Sequence, residues 1–116
     1  MTKVLFLPEV VDQFLELAEV LYRNGYLGHK DTAIEYAEQL FKEIQDNLPI
    51  KVKKDAPSHF ERYGPGLLYS AFQKNHQTTW YVFYSIHIVN DDVTYLVRNL
   101  GKNHVIAHKL LDERNT

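Results

Sequence analysis

The sequence contains no cysteine. Disulfides, thiolate metal sites and a cysteine nucleophile are therefore excluded, and nothing points to an oxidising compartment. No apolar run approaches the roughly 18 residues that a membrane span needs. The opening MTKVLFLPEVVDQ does not read as a secretory signal, because its apolar run stops at Pro8 and acidic residues follow at once. These absences lead us to expect a cytoplasmic protein with no membrane partner. No Gly-rich phosphate loop is present either: Gly64-Pro65-Gly66 has the composition of a turn, not of a Walker or Rossmann motif. No serine sits in a nucleophile-elbow motif, so nucleophilic catalysis has little support.

What is present suits one domain spanning residues 1–116, long enough to bury a real core. The formal net charge of −2 does not advertise nucleic-acid binding, but it is unevenly spread. Residues 9–46 are acidic, with Glu16, Glu19, Glu35 and Glu38 among many. Residues 51–109 are basic, with Lys51, Lys53, Lys54, Lys74 and Arg98. A basic half of a domain can form a local phosphate-binding surface under a negative total, and a mixture of solvated faces gives the same counts.

Taken in order, KVLFL at residues 3–7 reads as a short strand ending at Pro8, which suits the first turn of a helix. Helix one is expected from Glu9 to Asn24, with Val10, Phe14, Leu17 and Leu21 at helical spacing and Val11, Ala18 and Tyr22 widening the stripe. Asn24-Gly25 supplies its stop. Thr32 and Glu35 match a capping box for helix two, expected over Asp31–Asn47, with Ala33, Ala37, Leu40 and Ile44 in line and Pro49 as terminator. The short link between them predicts an antiparallel helical hairpin. Residues 50–66 are irregular and broken by Pro57, Gly64, Pro65 and Gly66.

The stretch QKNHQTTWYVFYSIH, residues 73–87, organises the rest. Preceded by a strand over 67–74, it opens a strand over Thr78–Val89. Alternation puts Trp80, Val82, Tyr84, Ile86 and Ile88 on the core face and Tyr81, Phe83, Ser85 and His87 on the other. After the turn Asn90-Asp91-Asp92, the strand over 93–100 divides Val93, Tyr95 and Val97 from Thr94, Leu96, Arg98 and Leu100, with Gly101 as its end. An Arg rarely belongs in a core, so Arg98 joins the face opposite the helices. Residues 103–112 fit a short helix or an edge strand equally. The expected class is α+β: a short N-terminal strand and a helical hairpin packed on one face of an antiparallel sheet that contains a three-strand meander. Tyr81, Phe83, His87 and Arg98 would stand on the opposite face, unless the C-terminal segment covers them.

This arrangement resembles the RelE/ParE toxin superfamily of toxin–antitoxin systems over most of the chain. It is most similar to a Bacteroidetes-like branch with the pattern Asn-x-x-Thr-x-Trp-Tyr-x-Phe-Phe, matched by Asn75, Thr78, Trp80, Tyr81, Phe83 and Tyr84. That branch also has an Arg on the last strand followed by Asn-His, matched by Arg98, Asn103 and His104. The resemblance implies cleavage of mRNA at the ribosome, as in RelE-like members, or inhibition of DNA gyrase without cleavage, as in ParE-like members. It also implies neutralisation by a cognate antitoxin; a degenerate member would only bind that antitoxin. The chain departs from the superfamily at Tyr81, where an Arg that contacts phosphate is common, and at Lys102-Asn103-His104, where a His-Arg segment and a Tyr are frequent.

RNA cleavage through the 2′-hydroxyl needs a base, a cation on the phosphorane and an acid for the leaving oxygen. The candidates are His104 as acid or base and Arg98 as the phosphate grip. Lys54 and Lys74 would supply further charge, and Tyr81 and Phe83 would stack on an unpaired base. The chemistry calls for no cofactor. His104 and His108 have the spacing of two metal ligands on a helix but lack a third, so no metal site is expected.

Overall fold

The computed structural model describes residues 1–23, 30–75 and 78–102. It is α+β, with two helices packed against a five-stranded mixed sheet. The elements are β1 (Thr2–Phe6), α1 (Pro8–Arg23), α2 (Lys30–Asn47), β2 (Lys54–Asp55), β3 (Leu68–Asn75), β4 (Thr78–Val89) and β5 (Asp92–Lys102), with 3-10 turns at Leu48–Ile50 and Ser58–Tyr63. The sheet order is β1-β5-β4-β3-β2. β3, β4 and β5 form the antiparallel meander, whereas β1 lies parallel to β5. From β1 the chain passes through α1 and α2 to β2 at the far edge, and the antiparallel run from β2 to β5 then brings β5 back beside β1 in the same direction. Among the described residues, no helix is long and apolar enough to cross a membrane.

Pro8 opens α1, where its missing N–H leaves no bond unmade, and Leu7 O accepts the first amides from Val10 and Val11. Val10, Phe14 and Ala18 are buried along one stripe, and Ala33, Ala37, Leu40 and Ile44 along the matching stripe of α2. Val11 lies partly outside. The side chains of Leu21 and Tyr22, and the Asn24-Gly25 stop, lie outside the described residues. Small Ala18, Ala33 and Ala37 cluster where the helices meet. Thr32 is not a cap: α2 begins at Lys30, and the Glu35 carboxylate instead accepts a bond from Gln39 at 3.2 Å. At the sheet, Phe6 stacks on Phe41 at 4.3 Å between ring centres, and Phe14 meets both rings edge-on. Trp80 is core, its indole N–H donating to Tyr36 Oη at 2.9 Å.

Residues 50–53 cross the same inner face. Val52 O accepts from the buried Ser70 hydroxyl at 2.9 Å, and that hydroxyl also meets Tyr84 Oη at 2.8 Å. Lys51 and Lys53 lay their ammonium groups over the Phe72 and Tyr95 rings.

Three features depart from strict alternation, the smallest being a register shift in β3 between Gln73 and Asn75 that leaves Lys74 without a partner residue in β4. In β5, Val97 pairs with Tyr84 while Asn99 pairs with Phe83, so Arg98 is the extra residue of a β-bulge. The bulge returns Leu100 to the helical face, where it is buried beside Val97, instead of leaving it with Arg98. The strand also runs through Gly101 to Lys102. The third departure is on the opposite face. The 3-10 turn Ser58–Tyr63 folds over it and drives Phe60 against Leu67 and Phe83, forming a second small core.

Candidate functional site

On the face of the sheet away from the helices, alternation along β4 sets Tyr81, Phe83, Ser85 and His87 in one row. The bulge in β5 turns Arg98 toward this row. Arg98 Nε donates to Ser85 Oγ at 2.9 Å, and its Nη1 lies 3.5 Å from the Tyr63 carbonyl oxygen. Ser85 Oγ is in turn 2.8 Å from His87 Nε2. Arg98, Ser85 and His87 thus form one hydrogen-bonded chain, half-buried at the arginine and exposed at the imidazole.

Gly64 completes the holder. Its φ of 142° is hostile to a side chain, and a Cβ there would stand 3.3 Å from Arg98 Cδ and 3.4 Å from Nε. The guanidinium therefore lies between the sheet and the Tyr63-Gly64 turn. Among the described residues, no carboxylate pairs with it. A fixed, planar cation without a carboxylate partner is suited to receive a phosphate through its remaining donors.

The other expected site residues separate. Phe83 is fully buried, stacked on Phe60 at 4.3 Å with a 20° tilt, so it has no face to give a base. The expectation that it stands open failed because the Ser58–Tyr63 turn covers it. Lys74 projects to the helical side and pairs with Glu43 of α2 at 2.9 Å, so its charge is on the opposite face from Arg98 and already compensated. Lys54 is exposed on β2, three strands away from β5, a separation of about 14 Å at ordinary strand spacing. Tyr81 remains on the site's face, half-buried with its ring edge-on to Tyr69 at 5.9 Å. His104, and the choice between helix and strand for 103–112, lie outside the described residues.

Ser85, His87, Tyr63 and Gly64 were not anticipated as a group. The first two carry a usable signal, since alternation places them on the face assigned to Arg98. The last two do not, because their approach depends on how an irregular segment folds back. No group of three His, Cys, Asp or Glu side chains among the described residues is placed to hold a metal ion. No family model, curated protein or solved structure matches this chain.

Proposed function

We propose that this protein is the toxin of a toxin–antitoxin pair of RelE/ParE-like build, acting in the cytoplasm as a metal-independent endoribonuclease on mRNA at the ribosome. The observation that carries the reading is Arg98, a half-buried guanidinium on the sheet face away from the helices, held by Ser85 and by the Tyr63-Gly64 turn and, among the described residues, without a carboxylate partner. Such a group binds a phosphodiester and stabilises the charge that builds on it during attack by the 2′-hydroxyl. Tyr81 lies on the same face as a stacking surface. A cognate antitoxin would restrain the activity.

The test is inducible expression of the full chain with translation, message integrity and DNA damage followed together. Expression should halt translation and fragment messages without inducing a damage response. Arg98→Ala should abolish both effects while the protein stays folded.

One observation favours a second reading, that of a gyrase inhibitor. An apolar groove of about 650 Å³ runs between the outer faces of α1 and α2, where Val11, Leu15 and Ile34 are open and Glu19 and Glu38 stand at the rim. A DNA-damage response with intact messages would select that reading. Absence of any toxicity would leave only a module that binds an antitoxin.

A further inference from the structure

We propose that His87 is the general base of the cleavage step, an inference that rests on the endoribonuclease reading above. Arg98 Nε can only donate, so Ser85 Oγ accepts from it across 2.9 Å. The hydroxyl has a second lone pair, and His87 Nε2 stands 2.8 Å away. If Nε2–H donates into that lone pair, both acceptor positions of Ser85 are filled and its own proton turns outward, toward the space a phosphoryl oxygen bound by Arg98 would occupy. That arrangement goes with one imidazole tautomer, in which Nε2 carries the hydrogen and Nδ1 keeps a free lone pair.

Among the described residues, Nδ1 has no hydrogen-bond partner, and the ring is exposed to solvent. Arg98 as phosphate grip, Ser85 as oxygen donor and His87 Nδ1 as base are consecutive groups along one hydrogen-bonded line. A nucleotide whose phosphate sits on Arg98 therefore has its ribose within reach of the imidazole.

The step balances without a cofactor. His87 Nδ1 takes the proton from the ribose 2′-hydroxyl, and the 2′-oxygen forms a bond to phosphorus. The bond from phosphorus to the 5′-oxygen breaks, and that oxygen takes a proton from water. The resulting hydroxide removes the proton from His87. The products are a 2′,3′-cyclic phosphate and a 5′-hydroxyl end. Ser85 is a positioning residue for the ring and a donor to the phosphate.

The test uses the purified full chain on ribosomes programmed with a defined message, comparing wild type, His87→Gln and Arg98→Ala. His87→Gln should lower the cleavage rate by about 10²- to 10⁴-fold, the usual contribution of a positioned base. It should leave ribosome association unchanged, because the phosphate grip remains. Imidazole in solution should restore part of the activity of His87→Gly. Cleavage by His87→Gln at the wild-type rate would overturn this inference and leave the proposed function standing. So would a lowered rate in His87→Gln with no rescue of His87→Gly by imidazole, which would mark a structural role. A wild-type chain that cleaves no message would overturn both.

Discussion

Phe60→Ala tests whether the second core is what holds the site together. Phe60 is 1% exposed, packs with Leu67 and Phe83, and stacks on the Phe83 ring at 4.3 Å. Truncating a buried Phe costs about 3–5 kcal/mol, including the loss of the ring pair. The Ser58–Tyr63 turn is short, and the backbone bonds Phe60 N to Pro57 O and Gly64 N to Glu61 O are local. It can therefore settle partly into the space left, which favours the lower end, about 3 kcal/mol. For a chain of this length that corresponds to a fall in Tm of roughly 10–15 °C. Urea denaturation should show the loss in the midpoint with an unchanged slope. Phe60→Leu, which keeps most of the apolar volume, should lose about 1.5 kcal/mol or less. A loss below about 0.5 kcal/mol in Phe60→Ala, the range of ordinary surface changes, would refute the second core. The view of Tyr63 and Gly64 as a fixed wall behind Arg98 would fall with it.

Further outcomes follow from the same contacts. Gly64→Ala should cost roughly 1–3 kcal/mol by thermal melting, since φ of 142° is strained for alanine, and should cut cleavage by displacing Arg98. Ser70→Ala strands Val52 O and Tyr84 Oη on the inner face and should cost about 1–3 kcal/mol in urea. Burial raises the Tyr84 phenol above the ordinary value of 10.0, partly offset by the Ser70 bond and reinforced by Tyr95. A raised folded pKa means the folded state holds its proton longer than the unfolded chain. The resulting stability is complete below pH 10 and is lost as pH rises through the folded value. Tyrosinate absorbance should show a late-titrating phenol that Tyr84→Phe removes, together with that component of alkaline destabilisation.

How much of this was legible depends on whether a residue's role is set by local period or by distant packing. The span Thr78–Val89 and the buried line Ala33, Ala37, Leu40 and Ile44 were both readable from their periods, but alternation along Thr78–Val89 does not give burial throughout: Phe83 is buried on the outer face and Ile88, expected in the core, is 68% exposed near the hairpin end. Phe60 was not, because a lone aromatic between Pro57 and Gly64 has no periodic neighbours to show which surface it covers. Lys74 was misassigned for a related reason. Its face is opposite to that of Tyr69 and Tyr81, but no acidic partner is visible until α2 brings Glu43 over the sheet.

The bulge at Arg98 is the most instructive case. Unbroken alternation forces Arg98 and Leu100 onto one face, leaving either a charge in the core or a leucine in the site. One extra residue separates them: Leu100 closes the helix-side core, and Arg98 reaches Ser85 and the Tyr63 carbonyl on the other side. The side chains on both faces of β5 therefore depend on the same backbone irregularity. Removing it, for instance by deleting one residue at the bulge, would disturb the core and the site together. The cation of the site thus stands where the period of β5 fails, beside the regular row of β4 that carries Ser85 and His87.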